Sequence, residues 1–415
     1  MIRAIIFDYG GVLMRTVNLV PRRELDQRFD LPPGGASKLV FESPLWDEAQ
    51  LGRISGAEFW VDVGQRLELD GEELAEFRRA FWAGDRLDED LVALIRRLRE
   101  AGYRTALLSN APAGLRRHVE ELGIADAFDD IVISGCEELM KPDPALFERT
   151  LARLSVSAEQ AVFVDDARAN VAAAQRVGLH ATRFLGLASL RRWLRDLDVP
   201  VPDPVLAPLP DVQAIIFDWG GVMEALPDDA HIVEWERRLA LAPGMLSEVL
   251  WGELWRQFSS GVSTRDEYVR SIGEQLGFPD ADAAHHFLEE FYADDRFYPE
   301  VAAAAHALRG RYKVALLSNA APGQDVWIRE RFGIDVYADF DAYINSAHAG
   351  LRKPDPAIFR RMLDRLGVAP QQAILLDDGL RNVDSARELG IHVIQFVHPD
   401  TSLGELEALL GHPIG

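Results

Sequence analysis

Asp165 and Asp166 stand side by side at the end of the apolar run Ala161 to Val164, and Asp377 and Asp378 close a second run in the same way. Adjacent carboxylates repel unless a cation or a proton comes between them. Their hard oxygens suit Mg²⁺, with waters and a substrate phosphate completing the octahedron. A single carboxylate, Asp8, ends the run Ala4 to Phe7 and is followed by Gly10 and Gly11, which let the backbone turn sharply beside a ligand; Asp218 is followed by Gly220 and Gly221. An aspartate in this position can attack phosphorus and form an aspartyl-phosphate, a step in which two anions meet and a cation must offset their charge. Further donors follow. The Ser109 hydroxyl and the Asn110 backbone N–H can each bond a phosphate oxygen, as can Ser318 and Asn319, while Lys141 and Lys353 supply positive charge to a transferring phosphoryl group. The chain has only four lysines, Lys38, Lys141, Lys313 and Lys353, and two of them hold equivalent places in this pattern. Asp143 can cap the next helix with Pro144 at its first position, which holds the backbone beside Lys141.

These residues occur twice because the chain repeats itself. Residues 3 to 12 read RAIIFDYGGV and residues 213 to 222 read QAIIFDWGGV, and the same order continues through Leu107-Leu108-Ser109-Asn110, Lys141-Pro142-Asp143-Pro144 and Asp165-Asp166 with Asn170, each matched about 210 positions later. Asn170 and Asn382 follow the paired aspartates at one spacing, and either orient a metal ligand or cap the next helix.

The elements that must position these groups are legible too. Short apolar runs (Ala4 to Phe7, Thr105 to Leu108, Ile131 to Ile133, Ala161 to Val164, Ala181 to Phe184) alternate with helix-patterned stretches. Continuous apolarity suits strands covered on both faces, and strand–helix alternation predicts an α/β fold with a parallel, doubly wound, Rossmann-like sheet in each copy, whose ligands sit beyond the carboxyl ends of the strands. Each copy also carries a long insertion after its first strand, with helical patterns such as Ala57 to Leu67 and Arg265 to Leu276, and a Trp then a Gly at matched spacing: Trp46 with Gly52, Trp255 with Gly261. These read as helical caps, about 14–88 and about 224–298, that close over the strand ends and select substrate. The reading gives domains at 1–198 and 212–415, joined by a proline-rich extended spacer over 199–211.

The net charge of −23 argues against nucleic acid and anionic membrane as partners, since both are bound by basic residues. Cys136 alone cannot form an intramolecular disulfide, and Met1 leads directly into the first strand, so a cytoplasmic location is expected.

The four patterns hhhDxGGV, LLSN, KPDP and DDxxxNV, in this order and twice over, resemble the haloacid dehalogenase superfamily with a helical cap in each copy. The resemblance implies that Asp8 and Asp218 are nucleophiles and also metal ligands, and that Ser109 and Ser318 bind phosphate. It makes Lys141 and Lys353 the stabilising lysines, and Asp165, Asp166, Asp377 and Asp378 the Mg²⁺ carboxylates. The backbone carbonyls of Gly10 and Gly220 become further metal ligands. One departure stands out: phosphatases of the superfamily read DxD at the first pattern, the second Asp serving as general acid and base, and here that place is Gly10 and Gly220. Loss of a positioned acid costs roughly 10²–10⁴-fold in rate, least for good leaving groups. The expected activity is a Mg²⁺-dependent phosphatase for small phosphorylated metabolites of the sugar phosphate kind. The alternatives are a silent tandem module for binding or assembly that stands in for a homodimer, a pair with one working copy, and a metal-free dehalogenase, which the paired aspartates disfavour.

Overall fold

The computed structural model describes residues 1–202, 206–293 and 296–414. They form two compact units, one ending at residue 203 and the other beginning at residue 204. Of the proline-rich spacer, residues 203–205 lie outside the described residues, and its two ends are not a free spacer. Val199 and Val201 are buried, the Arg195 guanidinium donates to the Val201 carbonyl, and the Leu209 N–H donates to the Leu409 carbonyl. The apolar residues between the prolines draw each end onto the neighbouring core.

The strands of the first unit are β1 (Ala4–Phe7), β2 (Met14–Thr16), β3 (Asp85–Leu87), β4 (Arg104–Ser109), β5 (Asp130–Ile133), β6 (Ala161–Asp165) and β7 (His180–Arg183); those of the second are β8 (Ala214–Phe217), β9 (Lys313–Ser318), β10 (Ala342–Asn345), β11 (Ala373–Asp377) and β12 (His392–Gln395). Each unit holds one five-stranded sheet, β5-β4-β1-β6-β7 and β10-β9-β8-β11-β12, with every pairing parallel. The order reverses at β1 and β8, which places the carboxyl ends of three adjacent strands around one crevice. In β1 all four side chains are buried, as they are in β8, which is what helices on both faces require. The face-splitting is visible in the second unit, where Ile215 and Phe217 join one core cluster and Ala214 and Ile216 the other.

The long insertion after each first strand is helical. In the first unit it runs from Val20–Arg28 to Gly71–Trp82 and packs around Phe59, Phe77 and Phe81; in the second it runs from Asp229–Arg238 to Ala281–Phe291 around Trp235, Phe287 and Phe291. Trp46 and Trp255 pack into these cores. The antiparallel pair β2–β3 closes the first insertion and was not predicted; its three-residue strands are half-exposed and carry no apolar run. The repeated glycines have a shared function. Gly52 and Gly261 both hold left-handed backbone, and a Cβ there would run into the carbonyl oxygens of Gly135 and Ala347, so each insertion rests on the short helix after β5 (Ser134–Glu137) or β10 (Ser346–Ala349) through a contact only glycine permits. Among the described residues no helix is long and apolar enough to cross a membrane.

Candidate active sites

Phe7 pairs with Leu107 of β4 and Val164 of β6, so Asp8, Ser109 and Asp165 emerge at the carboxyl ends of three neighbouring strands. The Asp8 N–H continues the ladder to the Val164 carbonyl (2.9 Å), and the Tyr9 N–H donates back to Asp8 Oδ1 (2.7 Å). The chain then turns at once: Gly11 takes φ 77° and its N–H donates to the Met14 carbonyl. A Cβ on Gly11 would overlap the Asp166 carboxylate, and one on Gly221 the Asp378 carboxylate, so these glycines are required both by backbone conformation and by space.

The carboxylates Asp8, Asp165 and Asp166 each bring a ligand oxygen within 4.8 Å of the others, as do Asp218, Asp377 and Asp378. One ammonium is set among them. Lys141 Nζ lies 2.8 Å from Asp8 Oδ1 and 2.6 Å from Asp165 Oδ2, and donates to the Leu108 carbonyl at 3.0 Å; Lys353 Nζ lies 2.7 Å from Asp218 and 2.5 Å from Asp377. Both lysines are fully buried. Burial alone would lower their pKa, yet the two facing carboxylates hold it above the ordinary value.

Burial pushes the Asp8 carboxyl up to about 7 against the pull of Lys141, with the charges of Asp165 and Asp166 adding to the rise; Asp218 is likewise pushed up to about 7. Burial, then Asp377 and Asp218, drives Asp378 well above its usual range. In each cluster all the donors are hard oxygens, the donor set suited to Mg²⁺.

The remaining candidates fall into place around these groups. Asn170 does not cap the following helix, whose N-cap is Ala167. Its Nδ2 donates to both Asp165 oxygens (3.1 Å each), and Asn382 Nδ2 donates to Asp377 Oδ1 at 2.8 Å. Of the two readings of these asparagines, the geometry therefore has them orienting a carboxylate. Asn110 has a side-chain task that was not foreseen: its amide clasps the Lys141 backbone, accepting from the N–H and donating to the carbonyl at 2.8 Å each, and Asn319 grips Lys353 identically. Asp143 and Asp355 cap the next helices behind a proline at the first position. The lysine backbone is thus held from both sides, and its ammonium keeps one place.

The copies differ beside Ser109 and Ser318, both buried. Gln324 Nε2 donates to Ser318 Oγ at 3.0 Å, where the first copy has Leu115. Trp219 donates to the buried Glu224 at 2.9 Å, whereas the corresponding Tyr9 hydroxyl is buried without a hydrogen-bond partner among the described residues.

Removing Lys141 should be costly to the fold itself. Breaking a buried ion pair from one side costs about 3–5 kcal/mol, so Lys141→Ala is expected to lose stability of that order in urea titration of the metal-free protein; a loss below about 1 kcal/mol, the range of an exposed pair, would refute the arrangement.

Residues 2–178 and 212–390 both match the hydrolase family described as haloacid dehalogenase-like. A sesquiterpene phosphatase of Aspergillus oryzae is 32% identical over 196 residues, which is 46% of this chain and 96% of that protein. A phosphoserine phosphatase of Thermus thermophilus is 30% identical over 231 residues, covering 49% of this chain and 88% of its own length. Against several other curated relatives the chain spans only 19% to 39% of their length. Among solved structures, a haloacid dehalogenase-family enzyme of Bacteroides thetaiotaomicron in complex with magnesium and inorganic phosphate aligns at 22% identity and TM-score 0.37, over 44% of this chain and 93% of that one.

Proposed function

The chain belongs to the haloacid dehalogenase-like hydrolases in both of its halves, and on that footing we propose that it is a Mg²⁺-dependent phosphatase of small phosphorylated metabolites, working through an aspartyl-phosphate on Asp8, on Asp218, or on both. The observation that carries this reading is the trio of carboxylates gathered beside a buried lysine in each copy, because hard oxygens brought this close together form the donor set that suits a divalent cation. Asp8, Asp165, Asp166 and the Gly10 carbonyl would hold the ion in the first copy, and Asp218, Asp377, Asp378 and the Gly220 carbonyl in the second. When bound, the ion offsets the charge between nucleophile and phosphate.

The chain's own residues do the rest. The Ser109 hydroxyl and the Asn110 N–H bind phosphate oxygens, as do those of Ser318 and Asn319, while Lys141 or Lys353 steadies the charge on the transferring group. An Asp8 oxygen attacks phosphorus, the bond from phosphorus to the ester oxygen breaks, and the leaving oxygen takes a proton from water, since no side chain stands at position 10 to give one. Water then attacks phosphorus in the acyl phosphate and frees the Asp8 carboxylate. This favours sugar 1-phosphates, acyl phosphates and aryl phosphates, whose leaving groups need the acid least. Named phosphatases among the relatives support the reaction class, and the charge of −23 supports a small substrate over nucleic acid.

The test is phosphate release from sugar, acyl and aryl phosphates with and without Mg²⁺; no metal-dependent turnover of any of them would overturn the proposal. The metal should also report its ligands through pH. With Asp8 and Asp218 pushed up to about 7, the ion must displace a proton below that pH, so its affinity is expected to rise with pH up to about 7 and then level off. For the metal-free protein the sign is opposite. A carboxyl whose pKa is raised on folding contributes stability at low pH that is lost as pH climbs from 3.8 through about 7. Thermal melts at several pH values should show Mg²⁺ stabilising the protein more at pH 8 than at pH 5, and equal stabilisation at both would contradict the assignment.

A further inference from the structure

The two copies handle one pair of arginines in opposite ways. In the first, Arg149 and Arg153 lie on the helix Pro144–Leu154, which packs beside the edge strand β5. Arg153 pairs with Asp130 at 2.6 Å and Glu137 at 2.6 Å, and Arg149 pairs with Glu137 at 2.8 Å. Counting from the matched lysines Lys141 and Lys353, the equivalent arginines are Arg361 and Arg365, and the places of Asp130 and Glu137 are taken by Ala342 and Ala349. Both carboxylates are gone and both cations remain. Arg361 donates to the Ala349 carbonyl and Arg365 to the Tyr343 carbonyl, each at 2.8 Å, so among the described residues both guanidiniums rest on neutral acceptors where the first copy offers carboxylates.

Tyr337, Tyr343, Asn345, His348, Arg361 and Arg365 line a cavity of about 480 Å³, within the range of roughly 300–1,000 Å³ typical of small-molecule sites. The two tyrosine rings meet edge to face, with centroids 5.6 Å apart, and form its apolar wall. Tyr337 is 67% exposed and its hydroxyl donates to Asp325. The cavity lies apart from the Asp218 carboxylates but is joined to the candidate active site by hydrogen bonds: the Tyr343 hydroxyl donates to Gln324 Oε1 at 3.1 Å, and Gln324 Nε2 donates to Ser318 Oγ at 3.0 Å. The first copy has Ile131 and Leu115 at these two places and no such relay.

We propose that the second copy carries a binding pocket for a small organic anion, its acidic group held by Arg361 and Arg365 and its ring or apolar body laid against Tyr337 and Tyr343. The occupant is a small molecule, because the site is a cavity of ligand size lined by two cations and two aromatic rings. Bound there, the anion takes the place that Asp130 and Glu137 hold in the first copy. Through Tyr343 and Gln324 it sets the orientation of the Ser318 hydroxyl, so the pocket serves as an effector site for the second copy; this last step rests on the phosphatase reading, whereas the binding does not.

Calorimetric titration with benzenesulfonate, an aromatic monoanion without phosphate, tests the pocket on the full chain. The paired substitution Ala342→Asp with Ala349→Glu installs the carboxylates that the first copy already tolerates, and it is expected to weaken binding by at least about tenfold, the equivalent of one charge-assisted hydrogen bond. Benzenesulfonate binding that is absent from the wild type, or unchanged in Ala342→Asp with Ala349→Glu, overturns the proposal. In an Asp8→Asn background, benzenesulfonate should change the KM for an aryl phosphate, and Tyr343→Phe should bind it without that change. Benzenesulfonate binding to a wild type that turns nothing over would sink the phosphatase reading and leave the pocket standing, while binding without turnover in Asp8→Asn alone, or turnover that ignores bound benzenesulfonate, would refute its role as an effector site.

Discussion

Replacing Asp8 and Asp218 together by asparagine is expected to abolish Mg²⁺-dependent phosphate release, a loss of at least about 10⁴-fold, as follows when a covalent nucleophile is removed. The substitution is a clean one for a physical reason. Burial already pushes both carboxyls up to about 7, so the metal-free fold tolerates a neutral group at these positions. Asparagine keeps the shape and leaves an oxygen for the Lys141 or Lys353 ammonium. It also removes one of three mutually repelling charges. The double variant should therefore melt no lower than the wild type without Mg²⁺, and it should lose most of the stabilisation that Mg²⁺ gives. Each single variant apportions the activity: loss of all turnover in one of them identifies a single working copy, and partial losses that add up identify two. Full turnover in the double variant would remove the aspartyl-phosphate from the proposal.

The parts that were legible in the sequence are those for which one local pattern has one physical solution. Continuous apolar runs such as Ala4 to Phe7 and Ala161 to Val164 became buried central strands because only a doubly covered sheet accepts them. The helix predicted over Arg265 to Leu276 is observed with those bounds, started by a Thr264–Glu267 capping box. Family and sheet topology followed from four patterns found twice in the same order. What could not be read were choices between contacts that share one spacing. Asn170 stands where either a cap or a carboxylate partner is possible, and only the fold brings its amide to Asp165. The Asn110 side chain reaches 31 positions along the chain to Lys141, a contact that no local pattern announces. Gly52 and Gly261 were visible as a repeat, yet the carbonyls that exclude a Cβ belong to Gly135 and Ala347, more than eighty positions later. The link from Gln324 to Tyr343 is of the same kind.

The missing acid is the point at which sequence and structure together say more than either alone. In the stretch Asp8-Tyr9-Gly10-Gly11 the two glycines are not equivalent. Gly11 has left-handed backbone and faces the Asp166 carboxylate, so no other residue fits there. Gly10 has neither constraint: its φ lies outside the left-handed region, and a Cβ built on it meets no heavy atom within 4 Å. Gly220 is nearly as open, with Leu226 Cδ2 at 3.6 Å, an ordinary contact. Space and backbone therefore do not explain why a carboxylate is absent; the site admits one. If the absent acid is what limits the chemistry, Gly10→Asp should raise turnover of an alkyl phosphate by roughly 10²–10⁴-fold, the usual contribution of a positioned acid. Turnover of an aryl phosphate, whose leaving group departs without a proton, should change little. The contrast between the two substrates is the diagnostic, because a general improvement in folding or metal binding would raise both. An alkyl phosphate rate that stays flat in a Gly10→Asp protein that still binds Mg²⁺ would mean that another group or an ordered water already delivers the proton, and that Gly10 is no defect in the site.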